Sequence, residues 1–471
     1  MLKTNISIFL SFLIFTGCSL KPTLEPIDEK VISPEWKIKT QIDNSNDLNQ
    51  IKLSYEDFVL DETLKKVVET AIKNNKDLKI AISNIELARA TYRVSKSDNF
   101  QKINANGSAN HTKTINASSN SSISHNYNAN VSASYEIDFF GKIKNLNESA
   151  LNNYLATKHG ATNTKIALIS DTITLWLMLA SHIEQQKLAN ETVKNLEKVY
   201  ELSLKKYQAG VISKSDVYDA NASLKQAQID FISYSKMIEE DKNALELLIG
   251  TSLNQELLPK DFKSYEQSLK VINAGISSKV LFLRPDIMEA EYNLKAKNAN
   301  IGVARAAFFP NISLTANSGI ASKSLSSLFD GGAKNVWSFS PSISLPIFDA
   351  NENSANLDFA KTQKDIALLE YEKSIQTAFK EVNDALITRT TINEQIKIEK
   401  ELVEELSKSY EIALNSYKVG IGSYLNVLIN QRTLINAKQN LIKTYLEDLT
   451  NRVILYKTLG GNETIEENNI K

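Results

Sequence analysis

The sequence predicts a mainly α chain in which one large unit occurs twice, each copy a long αα-hairpin with a β-hairpin ahead of it. Three observations carry that expectation. Residues Glu184–Gly250 and Glu394–Gly460 align without a gap at an offset of 210, with 19 of 67 positions identical. Tyr200/Tyr410, Tyr207/Tyr417, Gly210/Gly420, Ser213/Ser423 and Gly250/Gly460 are among the matches. A period this long is not a solenoid repeat of about 20–50 residues, so two copies of a large unit share one fold. Second, only eight prolines occur, at 22, 26, 34, 259, 285, 310, 341 and 346. Residues 35–258 and 347–471 are therefore free of the strongest helix breaker. Third, Asn/Ser-rich stretches in each copy alternate polar and apolar residues with period two, the pattern of strands with one apolar face.

Each element follows in order. The single cysteine, Cys18, ends an export signal: Lys3, an apolar stretch Ile6–Phe15 too short to span a bilayer, then Thr16-Gly17-Cys18. Cysteine after glycine resembles a bacterial lipobox, which makes 1–17 a signal peptide and Cys18 the lipid-attachment residue of an N-terminal segment 18–60. An ordinary signal peptide with an incidental cysteine is the alternative. The first repeat spans 61–258. Helical periodicity runs from Asp61 to about Asp98, and a β-hairpin follows at about 103–138. There Tyr127, Ala129, Val131, Ala133, Tyr135 and Ile137 take one face and Asn126, Asn128, Asn130, Ser132, Ser134 and Glu136 the other, with a turn at Asn116–Ser122. Lys142–Gln208 holds one glycine and no proline, enough helix for roughly 100 Å at about 1.5 Å per residue. Gly210 reverses the chain into an arm ending at Gly250.

After a connector, 259–283, the second repeat spans 284–461 with a hairpin at about 311–347. Ile312, Leu314, Ala316, Ser318 and Ile320 form one apolar row, and Trp337, Phe339, Pro341, Ile343, Leu345 and Ile347 the other, across a turn at Ser322–Lys334. Ala350–Lys418 is the second long helix. Its Leu368, Tyr371, Ile375, Ala378, Val382 and Ala385 keep the 3-4 spacing of a coiled-coil seam. Gly420 reverses it, and residues 462–471 are a polar tail.

The polar face of the strands is Asn, Ser and Thr. On the apolar face Tyr127 and Tyr135 stand about 26 Å apart, the spacing of aromatic girdles on a membrane barrel. Four strands cannot close a barrel, so in a bilayer they demand other subunits. A hairpin packed on a helix in a soluble α+β protein is the alternative. No later segment reaches 18 unbroken apolar residues, so no transmembrane helix is expected.

Composition narrows the function. Formal charge is −1, which argues against a nucleic-acid surface. No catalytic constellation is visible, so an enzyme is not expected. The four histidines, His111, His125, His159 and His182, lack metal-site spacing, and a solvated surface role is expected for His111 and His125. Gly302 has no phosphate-binding glycine pattern around it. No cofactor or metal is expected.

The run Leu283-Arg284-Pro285-Asp286-Ile287, continuing through Ala299-Asn300-Ile301-Gly302-Val303-Ala304-Arg305-Ala306-Ala307-Phe308-Phe309-Pro310-Asn311, closely resembles the TolC/OprM-type outer membrane efflux proteins. More narrowly it resembles the lipoprotein outer-membrane components of RND drug-efflux systems. Tyr135–Lys142 and Leu345–Asp349 match that family's strand-to-helix corners, and Tyr417-Lys418-Val419-Gly420 its helical reversal. Gln101 departs from it, standing where proline is usual. The resemblance implies a membrane β-barrel: a homotrimer with a 12-stranded barrel in the outer membrane and a 12-helix tunnel through the periplasm. Its implied partners are a periplasmic adaptor and an inner-membrane RND transporter, besides outer-membrane lipid. The implied function is a passive exit duct for small molecules in a tripartite multidrug efflux pump. A type I protein-secretion duct is the near alternative, and a coiled-coil surface lipoprotein scaffold the distant one.

The resemblance also implies an aperture at the periplasmic tip. Tyr417 matches a tethering tyrosine, but Gly422 replaces an arginine, and Asn426 and Ile429 stand where two aspartates do. The first copy has Asp216 and Asp219 at the equivalent positions. These two form either a cation-attracting gate ring or a helix N-terminal turn that favours acids. Closure is then expected to rely on apolar packing around Leu425, Leu428 and Ile429. Adaptor contact is expected at Gly210-Val211 and Gly420-Ile421, although those glycines could serve only to reverse the chain.

Overall fold

A computed structural model describes residues 20–24, 53–115, 121–260, 262, 267–272 and 278–465. Cys18, the signal peptide and residues 466–471 of the polar tail lie outside them. Among the described residues the chain is mainly helical with four antiparallel strands. In order come α1 (Tyr55–Phe58), α2 (Glu62–Asn74), α3 (Lys76–Ser97), β1 (Lys102–Ile115), β2 (Ser121–Ile137), α4 (Lys142–Gln208) and α5 (Lys214–Ile249). Then follow α6 (Pro285–Ala306), β3 (Asn311–Ser322), α7 (Leu325–Phe329), β4 (Lys334–Ser344), α8 (Glu352–Val419) and α9 (Tyr424–Thr458). Contacts group the chain into two compact units.

One unit holds Asn84–Thr157 and Glu289–Glu372 with residues 20–24. Its sheet has the order β1-β2-β3-β4, so the two hairpins join through β2 and β3. The register sorts side chains as the alternation requires. Tyr135 lies opposite Leu314, which lies opposite Pro341; Val131 lies opposite Ser318, which lies opposite Trp337. That face is open: Trp337, Ile343, Phe339 and Val131 are all exposed large apolar residues. Polar side chains on the other face bond across strands, Asn106 Nδ2 to Asn130 Oδ1 at 3.2 Å, Asn317 Nδ2 to Ser338 Oγ at 3.2 Å and Ser313 to Ser342 at 2.7 Å. Proline has no N–H to give a ladder, and Pro341 sits on β4, an edge strand of this chain's sheet, where strand prolines are tolerated. β4 ends at Ser344 rather than running on to 347. The turn between β3 and β4 contains α7, capped by Ser324, while residues 116–120 of the other turn lie outside those described.

The strand-to-helix corners are fixed by aspartates. Asp138 accepts from the backbone N–H groups of Ile143 (3.0 Å) and Lys144 (2.7 Å), and Asp349 from those of Asn351 and Asn353 (both 3.1 Å). A carboxylate there satisfies the orphan donors of the next helix. Phe140 stacks on Phe309 at 4.6 Å between corners. Gly302 has a packing role: a Cβ there would lie 2.4 Å from Asn145 Nδ2, so only glycine lets α6 approach α4 this closely. The N-terminal stretch is tied to the same helices. Leu20 and Pro22 carbonyls accept from Arg305 Nη1 (3.1 Å) and Asn298 Nδ2 (2.8 Å), and Lys21 pairs with Glu148.

The other unit holds the described parts of Asp28–Ser83, Lys158–Met288 and Lys373–Lys471. The helix expected from Asp61 to Asp98 is broken at Asn75, whose backbone is extended. Asn75 Oδ1 accepts from the Leu78 N–H and its Nδ2 donates to the Leu248 carbonyl, both at 2.9 Å, so the break is held by local capping plus one tertiary bond. One stretch of α4 is apolar enough to cross a membrane by length and composition. Its residues Ile166, Ile169, Ile173, Trp176 and Leu177 are buried in this unit's core.

Buried charge is paired. Arg284, only 7% exposed, donates to Asp286 (2.7 Å), to Glu381 (2.9 Å) and to the Thr458 carbonyl (2.8 Å). Burial pulls its pKa down, but the two carboxylates outweigh it and the net shift is upward. The Arg-Pro-Asp motif is thus a clamp that starts α6 against the middle of α8 and the end of α9. Asp448 holds both Arg389 and Arg452, the latter at 2.5 Å. Glu463 accepts from the Tyr456 hydroxyl (2.9 Å) and from the Tyr55 N–H (2.8 Å) and pairs with Lys165 (2.7 Å).

Candidate functional site at the helical reversals

Both reversals use one device. At the end of α4 the Gly210 N–H donates to the Tyr207 carbonyl (2.9 Å) and the Val211 N–H to the Lys206 carbonyl (2.9 Å), with Gly210 at φ +71°. At the end of α8 Gly420, at φ +88°, and Ile421 repeat this on Tyr417 and Ser416. A Cβ at either glycine would meet nothing within 4 Å, so inside the chain it is the left-handed backbone that requires glycine. Val211 and Ile421 are 63% and 84% exposed beside them.

The next helices start differently. Ser213 caps α5 in a capping box: it accepts from the Asp216 N–H at 3.3 Å, and Asp216 Oδ2 accepts from the Ser213 N–H at 3.0 Å. Asp216 therefore has a structural occupation, while Asp219 is exposed one turn on. Ser423 caps α9 by accepting from the Asn426 N–H at 3.4 Å, without the reciprocal bond. Leu425 (61%) and Ile429 (54%) are exposed, whereas Leu428 packs against the tip cluster.

That cluster joins all four helices. Val199 of α4, Ala220 of α5, Tyr417 of α8 and Tyr424 and Val427 of α9 are buried together. Tyr417 is held at three points. Its hydroxyl shares a 2.8 Å hydrogen bond with Ser203 Oγ, which in turn donates to the Val199 carbonyl at 2.9 Å. Lys206 Nζ donates to the Tyr417 carbonyl and lies 4.2 Å from its ring centroid. Burial raises the pKa of Tyr417, opposed by Ser203 and helped by Asp216; burial likewise raises that of Tyr424, with Asp219 adding to it. The acids of the first reversal thus face the tyrosines of the second. Ser203 and Lys206 were not singled out in the sequence, because their repeat mates are Ala413 and Ser416 and only tertiary contact pairs them with Tyr417.

Among the described residues no three His, Cys, Asp or Glu side chains come together as a metal site. His182 Nδ1 is 2.6 Å from Asp241 Oδ2, and His111 lies beside His125 across β1 and β2.

The model of the family described as "Outer membrane efflux protein" matches residues 67–251 and 276–461, one match per copy. The chain belongs to this family. It is 38% identical over 467 residues to the antibiotic efflux pump outer membrane protein ArpC of Pseudomonas putida, covering 98% of this chain and 96% of that one. It is 34% identical over 455 residues to the cation efflux system protein CusC of Escherichia coli, covering 95% and 97%. A crystal structure of CusC superposes with a TM-score of 0.84 over 94% of this chain and 100% of that one, at 33% identity. The open-state crystal structure of the Neisseria gonorrhoeae MtrE outer membrane channel superposes at 0.83 over 94% and 98%, at 29% identity. The family is one of efflux channels rather than enzymes.

Proposed function

We propose that this protein is the outer-membrane exit duct of a tripartite, RND-type efflux pump, working as a homotrimer. The sheet is the observation that carries the proposal. It has one exposed apolar face, one face of cross-bonded Asn, Ser and Thr, and two edges, β1 and β4, with no partner strand among the described residues. In a bilayer such edges must be paired. Three copies give twelve strands closed edge to edge, with the amide and hydroxyl face lining a pore for small polar and amphipathic solutes. Six helical hairpins then form the periplasmic tunnel, the reversals around Gly210 and Gly420 meet the adaptor, and Cys18 carries the lipid. Transport is passive, with energy supplied by the inner-membrane pump. Relatives named for antibiotic and cation efflux favour small solutes over polypeptides as cargo.

The test combines mass and phenotype. The detergent-solubilised protein should have the mass of a trimer, and deleting its gene should lower resistance to several unrelated antibiotics together. A monomer that stays soluble without detergent would favour a surface scaffold, and a loss of one secreted polypeptide with unchanged resistance a type I duct.

A further inference from the structure

Four histidines occur in 471 residues, and two of them are direct cross-strand neighbours although 14 positions apart. His111 on β1 is registered opposite His125 on β2, so both side chains leave the same face of the sheet. Both are exposed, their rings meet edge to face with centroids 4.7 Å apart, and the two Nδ1 atoms are 2.5 Å apart. The Tyr127 ring stands edge-on to His111 at 5.5 Å and limits its rotation. β1 follows α3 and β2 leads into α4, so the pair sits toward the end of the hairpin away from those helices.

Two imidazole nitrogens this close cannot both present a lone pair or both present a proton. The two ring nitrogens therefore converge on one point, the place where a metal ion would bridge them. Metal–nitrogen bonds of about 2.0–2.1 Å to two cis ligands put the nitrogens roughly 3.0–3.4 Å apart, within reach of small side-chain rotations by exposed rings. We propose that His111 and His125 form a two-imidazole site for a late first-row divalent ion, Zn²⁺, Ni²⁺ or Cu²⁺. Imidazole selects these over Ca²⁺ or Mg²⁺, which want oxygen ligands. No carboxylate joins the pair, so water completes the coordination and the site is exchangeable. Lys113 is the charged residue on the same face, opposite Ile123 one step toward the turn; an ammonium cannot ligate and only weakens the attraction. A bound ion would staple β1 to β2 near the hairpin end. The proposal is independent of trimer formation and of the identity of the exported solute.

The experiment is calorimetric titration of Ni²⁺, and separately Zn²⁺, into the untagged full chain in detergent. One ion per chain is expected, and His111→Ala or His125→Ala should each weaken binding by more than the roughly 10–100-fold that loss of a merely supporting group costs a metal site. His182→Asn, which alters the Asp241 pair instead, should leave the isotherm unchanged. Binding that survives both substitutions, or no binding at all, overturns the proposal. Cu²⁺ electron paramagnetic resonance gives an arm that needs no variant: fewer than two coordinated nitrogens would also overturn it.

Discussion

Lys206→Met is the sharpest perturbation of the helical tip. The substitution keeps the length of the side chain and removes the ammonium that both donates to the Tyr417 carbonyl and faces its ring at 4.2 Å. A hydrogen bond to a charged group is worth about 1.5–3 kcal/mol net, and an exposed cation–π contact about 0.5–1 kcal/mol. Lys206 is half-buried, so the low end applies and the loss is about 2 kcal/mol. At about 1.4 kcal/mol per decade, that shifts the balance between tethered and released hairpins by about 30-fold. Tyr417→Phe should act in the same direction but less, about 0.5–1.5 kcal/mol, because Ser203 keeps its bond to the Val199 carbonyl and no buried hydroxyl is orphaned. The assay is single-channel recording in planar bilayers, together with susceptibility to a bulky antibiotic that an intact outer membrane excludes. Lys206→Met should raise open probability and susceptibility, and Lys205→Met, one residue earlier and exposed, should do neither. Unchanged currents and susceptibility in Lys206→Met, at normal levels of protein in the membrane, would refute the tether.

Four further outcomes are expected. Val131→Arg places a charge mid-strand on the apolar face and should cost about 2–4 kcal/mol in a bilayer and reduce outer-membrane assembly, whereas Asn130→Arg on the opposite face should assemble normally; equal assembly of the two would remove the face assignment. Ile429→Asp adds carboxylates at an exposed tip position, and should introduce block by multivalent cations and change the leak, so unaltered conductance and ion block count against an aperture there. Asp448→Ala removes the carboxylate shared by the half-buried Arg389 and the buried Arg452 and should lower stability by about 3–5 kcal/mol, read as thermal unfolding of the detergent-solubilised protein. Alkaline pH should destabilise the fold: burial, reinforced by Glu56 for Tyr55 and by Glu291 for Tyr371, raises each from the ordinary 10.0 to about 12. Their contribution is whole below pH 10 and lost between about 10 and 12, so a melting temperature that stays flat across that window contradicts it.

Much of the architecture is legible because periodicity is a backbone property. Lys142–Gln208 appears as one helix because nothing in it breaks the pattern, and the strand faces appear because a one-residue slip would invert every side chain. The break at Asn75 was not legible, since its bond to the Leu248 carbonyl comes from a helix 173 residues away. The same holds for the motif at 284–286. Its residues identify the family, yet its work is a clamp on Glu381 and Thr458 that no local pattern announces. Leu425 and Ile429, expected to carry apolar packing at the aperture, are exposed within the chain, an outcome helical spacing alone does not decide.

The duplication has a further physical consequence at the tip. Tyr207 and Tyr417 are repeat mates, yet Tyr417 is 1% exposed and Tyr207 39%. Tyr417 meets the first hairpin of its own chain; in the trimer proposed above, Tyr207 would face the second hairpin of the next copy. The groups that hold Tyr417 are Ser203 and Lys206; their repeat mates, 210 positions on, are Ala413 and Ser416. Neither offers an ammonium, and alanine offers no hydroxyl. In the proposed trimer the backbone repeat would be nearly sixfold and the tethering chemistry threefold: the three junctions within chains would carry the cation and the hydroxyl pair, and the three between chains would lack the cation. For the proposed trimer, an opening motion that separates subunits first, with each pair of hairpins moving together, would be the cheaper route, because it leaves the Lys206–Tyr417 contacts intact until last.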